Sequence, residues 1–176
     1  MKSGIILRMS IRSMLYDSPV GTLCIRADEI GITEISFDGT CQMQDSDPLL
    51  NRCVEILDAY FHKGTMQATL PVHLVGGTSF QRNVWKLLCD IPYGTTVSYL
   101  DLARKISATM SAQAIGQAVH NNPVSILIPC HRVIGKNGSM TGYGGGIDRK
   151  VFLLELEKEK RIFDIQIELH TEGGIQ

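Results

Sequence analysis

A cysteine and a histidine stand side by side near the end of an apolar run, residues Ile126–Ile134. An imidazole next to a thiol can act as the base that generates a nucleophilic thiolate. We interpret the run as a buried strand that ends at Pro129, because proline cannot donate to a central ladder, and this would leave Cys130 at a sheet edge or in a pocket wall. A buried, unreactive thiol explains the same residues equally well, since free cysteine is among the most buried residue types.

The remaining cysteines give no sign of a disulfide framework. The chain has five cysteines, an odd number, widely spaced and without a CxxC pair: Cys24, Cys41, Cys53, Cys89 and Cys130. A disulfide framework is therefore not expected. His62 and His73 together with three of the cysteines could supply metal ligands, but their spacing fits no zinc signature, and we predict no metal site.

Length and composition indicate a globular chain. Its 176 residues are enough for one good core or for two small domains. No apolar run is long enough to span a membrane, and the apolar stretch before Arg8 is too short for a signal peptide, so we expect a cytoplasmic protein.

The charges are unevenly distributed along the chain. The net charge is −1, but eight basic residues stand against three acidic ones between Ser79 and Lys150. A basic half joined to an acidic half suits a domain that meets a polyanion. A chance distribution of solvated charges explains the same numbers almost as well.

The first half predicts a small antiparallel sheet with a helix. Residues 22–27 and 32–37 form two strands around a turn, and apolar residues recur at helical spacing from Pro48 to Phe61. Gly76 and Gly77 indicate a hinge. We place the domain boundary there, which gives an N-terminal α/β domain over residues 1–77 and a C-terminal domain over residues 78–176.

The second half predicts a helix-turn-helix. Thr78 caps a helix that ends at Cys89, and Ser98 with Asp101 forms a capping box for a helix over Tyr99–Ile106. A second short helix runs from about Ser111 to Val119. Its Ala112 and Gly116 lie one turn apart and present almost no side chain, which suits close approach to a nucleic-acid groove or, equally, to another helix.

The C-terminal part adds a glycine loop, a helix and a strand. Tyr143–Gly146 predicts a mobile or closely approached loop that faces whatever Cys130 faces. A helix follows over Lys150–Lys158, and mixed alternation over Ile162–Leu169 is compatible with a terminal strand.

These motifs, taken together and in order, resemble the O6-alkylguanine-DNA alkyltransferases, the methylated-DNA–protein-cysteine methyltransferases. The active-site signature falls on Asn122–Gly135. The other matching segments are Phe80–Trp85, Ile91–Gly94, Val97–Ala103, Gly142–Gly146 and Leu153–Glu157. The strong resemblance covers about residues 78–157, and residues 15–75 look like the family's variable N-terminal domain.

The resemblance implies an α/β (α+β) fold: a small N-terminal antiparallel sheet with a helix, ribonuclease H-like, and a mainly helical C-terminal domain with a winged helix-turn-helix-like motif. It also implies direct-reversal DNA repair in a single turnover. Cys130 would take the alkyl group from O6-alkylguanine, with O4-alkylthymine as a second candidate lesion. His131 would accept the thiol proton through a water, Glu157 would orient His131, Tyr99 would assist the leaving guanine, and Asn122 would hold the turn. No cofactor is needed.

The resemblance also implies how DNA is bound. The second helix would enter the minor groove of double-stranded alkylated DNA, and the damaged base would be flipped into a pocket. The expected DNA contacts are Gln113, Ala112, Gly116, Arg132, Ser98 and Thr96. The expected pocket residues are Tyr143, Gly144, Gly145 and Pro129. Two positions depart from the family, because Gln113 replaces an arginine that fills the gap left by the flipped base and Gly144 replaces a serine.

Three alternatives compete with this hypothesis. A binding-only alkyltransferase-like protein would have another residue at position 130, where this chain has cysteine. A helix-turn-helix transcription factor would not need Glu157 or the glycine loop. A cysteine hydrolase would need an oxyanion site that no motif specifies. We expect a monomer with DNA as its partner and no membrane association.

Overall fold

The computed structural model describes residues 10–41, 46–159 and 161–171. The start of the chain, on which the expectation about a signal peptide depended, lies outside them. The strands are β1 (Arg12–Ser18), β2 (Gly21–Ala27), β3 (Ile32–Ser36), β4 (Met66–Leu74), β5 (Val97–Ser98), β6 (Val133–Ile134) and β7 (Phe163–Thr171). The helices are α1 (Pro48–Phe61), α2 (Ser79–Cys89), α3 (Tyr99–Ile106), α4 (Ala112–His120) and α5 (Ile147–Glu157), with a short 3-10 helix at Cys130–Arg132.

The large sheet is mixed. Its order is β1-β2-β3-β4-β7, with antiparallel pairing in β1-β2-β3 and parallel pairing from β3 to β4 and from β4 to β7. The antiparallel part agrees with the predicted N-terminal sheet. The last strand, β7, returns across the molecule to pair with β4 over nine residues. Part of the segment 78–176 therefore completes the N-terminal sheet.

Helix α1 lies on this sheet because of its apolar stripe. Asp47 caps its N-terminus, accepting hydrogen bonds from the backbone of Leu49 and Leu50, and Pro48 stands at the first helical position, which needs no backbone donor. The side chains that recur on one face are buried: Leu50, Cys53, Ile56, Leu57, Tyr60 and Phe61. The predicted helix is confirmed, and its buried face brings Tyr60 toward the second half of the chain.

The predicted helix-turn-helix consists of α3 and α4. The predicted capping box of Ser98 with Asp101 begins α3, and Thr78, the predicted cap of α2, forms a second capping box with Gln81. Trp85 of α2 donates from Nε1 to the backbone oxygen of Ala118, 2.8 Å away, which ties α2 to α4. Three short helices thus share one core with Cys130 at its border.

The apolar run before Cys130 is not a strand, contrary to our prediction. Residues 125–128 form a turn, and Ile126 adopts a left-handed φ of 73°. The turn is held against β3, where the backbone N–H of Ile35 donates to the oxygen of Pro123 at 2.9 Å. The residues are apolar because the turn is buried, and a short, fully buried run has no periodicity that distinguishes a strand from a turn.

A second prediction that was wrong concerns disulfides. Cys24 and Cys41, which are 17 residues apart in the sequence, are joined in a disulfide bond. Cys24 lies on β2 and Cys41 in the loop that follows β3, so the antiparallel pairing of β2 and β3 brings the two together. Long-range proximity of this kind leaves no trace in cysteine spacing.

No helix among the described residues has the length and apolar character needed to cross a membrane.

Candidate active site

Cys130 begins the 3-10 helix and is 5 % exposed. The side-chain amide of Asn122 donates to Cys130 Sγ at 3.0 Å and to the backbone oxygen of Ile128 at 2.8 Å. Burial raises the pKa of the Cys130 thiol above its ordinary value, while the Asn122 hydrogen bond and the positive charge of Lys150 lower it in part. The thiol is therefore protonated at rest. Once its proton is removed, the thiolate is stabilised by Asn122 and Lys150.

The Nε2 side of the His131 ring lies in a buried ionic cluster. Its Nε2 lies 2.7 Å from Glu157 Oε1, and neither side chain is more than 1 % exposed. Burial lowers the pKa of His131, which opposes the raising effect of Glu157. A neutral ring whose Nε2 donates to a carboxylate carries its lone pair on Nδ1. That atom is buried and has no hydrogen-bond partner among the described residues, so it is free to accept a proton.

Glu157 is the centre of the cluster. Its Oε2 accepts from Arg132 Nε at 2.8 Å and from the backbone N–H of Gly94 at 3.1 Å. Its Oε1 accepts from His131, from Arg132 Nη2 at 3.0 Å and from the hydroxyl of Tyr60 at 2.8 Å. Burial raises the pKa of Glu157, but the hydrogen bonds and charges of His131 and Arg132 outweigh burial and hold it well below its usual range.

The position of Arg132 disagrees with its predicted role as a DNA contact. The residue is 8 % exposed, and its guanidinium is committed to Glu157 and to the backbone oxygen of Ile91, 2.6 Å from Nη1. A buried carboxylate needs such a partner, because an unpaired ion in the interior costs several kcal/mol. Lys150 is also buried and donates to the backbone oxygens of Val133 and Thr141. Two of the eight basic residues that motivated the polyanion hypothesis are thus internal.

The predicted DNA-binding helix borders an open groove. The groove measures about 550 Å³ and is lined by Tyr99, Ala112, Gln113, Gly116, Gln117, His120, Thr141 and Gly142. A Cβ on Gly116 would touch only the ring of Tyr99, at 4.0 Å, so Gly116 leaves space on the outer face. Tyr99 donates its hydroxyl to the backbone oxygen of Thr141 at 2.9 Å. Burial, followed by the nearby Cys130, raises the pKa of Tyr99.

The remaining predicted DNA contacts lie near the start of α3. Thr96 is exposed in the loop that precedes β5. Ser98 is half-buried and its hydroxyl donates to Asp101 Oδ2 at 2.6 Å. That hydroxyl also accepts from the backbone of Asp101, so its single O–H donor is used by the cap.

The glycine loop is closely approached. A Cβ on Gly145 would lie 2.7 Å from the ring of Phe37, and one on Gly144 would lie 3.5 Å from the backbone oxygen of His120. Arg149 fastens the loop by donating to the backbone oxygen of Gly145 at 2.8 Å. Of the two readings that the sequence left open, mobility or close approach, the contacts favour close approach.

The other predicted pocket residues, Tyr143 and Pro129, are buried near Cys130. Tyr143 packs edge-on against Phe37, with ring centroids 6.0 Å apart, and its buried hydroxyl has no partner among the described residues. Burial, followed by the nearby Cys130, raises the pKa of Tyr143 well above its ordinary value. Pro129 directly precedes Cys130 and is buried with it.

Sequence reasoning missed two residues of the site, Tyr60 and Lys150. Tyr60 belongs to α1, far from Glu157 in sequence, and its helical spacing predicted only a core position. The sequence predicts Lys150 only as the first residue of a helix. A lysine on the inward face of that helix is the only signal in the sequence that could have pointed to it.

Comparison with known proteins matches both halves of the chain. Residues 79–159 match the model of the 6-O-methylguanine DNA methyltransferase DNA-binding domain, and residues 11–74 match that of the ribonuclease-like domain of the same enzymes. The inducible methylated-DNA–protein-cysteine methyltransferase of Bacillus subtilis is 48% identical over 122 residues, covering 69% of this chain and 67% of the relative. The corresponding protein of Mycobacterium bovis is 40% identical over 157 residues, covering 86% and 94%. Among solved structures, Mycobacterium tuberculosis OGT in complex with DNA superposes with a TM-score of 0.76 at 40% identity, covering 86% of this chain and 95% of that one.

Proposed function

The chain belongs to the 6-O-methylguanine DNA methyltransferase family, and from that membership we propose that Cys130 is the residue that takes up the alkyl group. The protein is a direct-reversal DNA repair enzyme, a methylated-DNA–protein-cysteine methyltransferase, and DNA is its partner. The observation that carries the assignment of Cys130 is its setting. Its thiol accepts a hydrogen bond from Asn122. The next residue in the chain, His131, is held in one tautomer by the buried carboxylate of Glu157.

Each side chain around Cys130 has a defined task in the transfer. The thiol proton leaves toward His131 Nδ1 through a water, because no direct hydrogen bond joins Cys130 and His131 among the described residues. The sulfur then attacks the alkyl carbon, an S–C bond forms, and the bond from that carbon to guanine O6 breaks. The thioether cannot be hydrolysed by any group of this site, so one chain repairs one base.

Tyr99 serves the leaving group. The bond electrons return to guanine, which becomes a better leaving group when a proton is supplied as the bond breaks. The hydroxyl of Tyr99 lies at the border between the groove and the glycine loop, where it donates to Thr141. We assign it to proton donation to the flipped base, with Tyr143, Gly144, Gly145 and Pro129 forming the pocket walls.

The DNA surface is the groove beside α4. Ala112 and Gly116 let the minor groove approach, and Gln113 stands exposed beside them, where it can fill the gap left by the flipped base. We assign Thr96 and the start of α3 to backbone contacts, and we leave Arg132 out of the interface because it is buried. We further propose double-stranded alkylated DNA as the form bound and a monomer as the working unit. The cytoplasmic location and the boundary at residue 77 stay predictions.

The direct test is intact-mass analysis after the protein is mixed with a duplex that contains O6-methylguanine. We expect a gain of one methyl group per chain, saturating at one equivalent and mapping to Cys130, and we expect Cys130→Ser to gain none. Absence of transfer by the unaltered protein would return the binding-only hypothesis to first place.

Cys89→Ser is the matched control for that experiment. Cys89 is a partly exposed free cysteine, and burial, followed by Asp90, raises its pKa to about 12. It lacks the amide donor and the adjacent histidine that Cys130 has. The variant should therefore transfer at the same rate as the unaltered protein, and methylation on Cys89 would contradict the assignment.

A further inference from the structure

Helix α1 contributes a hydroxyl to the cluster behind Cys130. Tyr60 is 1 % exposed, and its hydroxyl donates to Glu157 Oε1 at 2.8 Å and lies 3.4 Å from His131 Nε2. The bond to Glu157 spans 97 residues of sequence and joins the N-terminal half of the chain to the end of α5. A tyrosine that filled only a core position would not need its hydroxyl aimed at the carboxylate that holds the histidine.

Tyr60 is itself held in place from outside. Arg161 lies over the rings of Tyr60, Tyr93 and Phe163, with its guanidinium carbon 5.0 to 5.7 Å from their centroids. It also donates to the backbone oxygen of Ala59 at 2.8 Å. These contacts fix both the ring and the helix end that carries it, so the hydroxyl has little freedom to leave Glu157.

The hydroxyl competes with His131 for the same oxygen. Glu157 Oε1 accepts from three donors, Tyr60, His131 and Arg132, and each additional donor withdraws electron density that the others would use. With Tyr60 in place, Glu157 orients the imidazole without drawing a second proton onto it. The other ionisable groups that face Tyr60 or His131 are Arg132, Lys150, Tyr93 and Arg161.

We propose that Tyr60 is a positioning residue for the transfer reaction, which keeps His131 neutral and its Nδ1 free by sharing the carboxylate of Glu157. This inference rests on the proposed function, since it names the residue that keeps His131, the base of that reaction, in its neutral form. It makes the N-terminal half a working part of the active site.

The test is Tyr60→Phe, which removes the hydroxyl and keeps the ring. Without the hydroxyl, Glu157 bonds more strongly to His131, so the pKa of His131 should rise by roughly 0.5 to 1 pH unit. We expect the acid limb of the single-turnover rate profile to move to higher pH by the same amount. On that limb, below the pKa of His131, the rate should fall on the order of threefold to tenfold, whereas at neutral pH, where the ring is neutral in both proteins, it should change little.

The protonation state is measured separately from transfer. The ring nitrogens of ¹⁵N-histidine report both tautomer and titration, and the His131 signals are assigned by their loss in His131→Gln. If the unaltered protein transfers no methyl group, the proposed function fails, and the titration of His131 in Tyr60→Phe still decides the inference.

Tyr16→Phe is the matched control. The Tyr16 hydroxyl also donates to a carboxylate of α1, Asp58 Oδ1 at 3.3 Å, and its ring stacks on Phe61. This variant should leave the titration of His131 and the rate profile unchanged. The inference is overturned if Tyr60→Phe lowers thermal stability while both measurements stay unchanged, if it fails to fold, or if Tyr16→Phe produces the same displacement.

Discussion

Gln113 is the residue that we expect to limit the strength of DNA binding. It is exposed on the outer side of α4, beside the groove that Ala112 and Gly116 open. The resemblance to the alkyltransferases leads us to expect an arginine at this position. A glutamine can fill a gap in the base stack and donate a hydrogen bond, but it lacks the charge and the planar area of a guanidinium.

Replacing Gln113 with arginine should therefore accelerate repair. We predict that Gln113→Arg raises the single-turnover rate several-fold and that the gain shrinks as salt is added, because part of it is attraction to phosphate. The rate is measured with limiting duplex containing O6-methylguanine. Gln117→Arg adds the same charge one turn along the helix and should produce a smaller gain. An unchanged or lower rate for Gln113→Arg would contradict the role given to this position.

At the scale of elements, the connection between β4 and α2 is firmer than a hinge. Gly77 has a φ of 85°, and a Cβ at this position would lie 2.5 Å from the ring of Trp85. That ring is the one that ties α2 to α4 through Ala118. The second of the two glycines is thus a packing position under the helix that supports the DNA-binding motif.

Adjacent glycines offer a matched comparison. Gly77→Ala must shift the Trp85 ring and strain a left-handed backbone, so we expect a loss of about 1 to 3 kcal/mol in the free energy of unfolding. A Cβ on Gly76 meets nothing within 4 Å, and Gly76→Ala should change stability by less than about 0.5 kcal/mol. Urea unfolding of both variants measures the difference. Equal stabilities of the two variants would mean that the connection is flexible enough to accommodate the extra Cβ, as a hinge would be.

At the scale of the whole molecule, the two halves meet in one buried ionic cluster. Tyr60 comes from α1, His131 and Arg132 from the 3-10 helix, and Glu157 from α5. The strand β7 adds a second connection by completing the N-terminal sheet. Protonation of the cluster should therefore affect the stability of the entire fold.

The expected pH dependence follows from two groups. The pKa of His131 is lowered by burial from its ordinary 6.5, so the unfolded chain takes up a proton near that pH before the folded protein does. Its stabilising contribution is complete above about pH 6.5 and declines as the pH falls below that value, by at most about 1.4 kcal/mol per pH unit. Glu157, whose folded pKa is also lowered, adds a further loss only below its ordinary 4.5.

Urea unfolding at a series of pH values between about 7.5 and 5 measures this decline. His131→Gln should flatten it, because the variant has no imidazole to protonate on unfolding. A free energy of unfolding that stays constant down to pH 5 would contradict the buried, neutral state of His131.

Much of the fold could be predicted from the sequence, because it depends on local patterns. Helix α1 follows from apolar residues at helical spacing after Asp47-Pro48, and α3 follows from the capping box of Ser98 and Asp101. Each of these signals lies within about four residues along the chain, where the backbone bonds that it satisfies also lie. The motif from which we propose Cys130 as the nucleophile is local in the same way.

Only the tertiary structure decided which side chains surround Cys130 and which of them are buried. Tyr60 reaches Glu157 across 97 residues, Cys24 meets Cys41 because two strands pair, and Arg132 faces inward because Glu157 needs a counter-charge. The run before Cys130 is apolar because it is buried, and burial on all sides produces no periodic pattern of apolar residues in the sequence. Contacts between distant segments depend on how whole elements pack, and neither spacing nor composition encodes that packing.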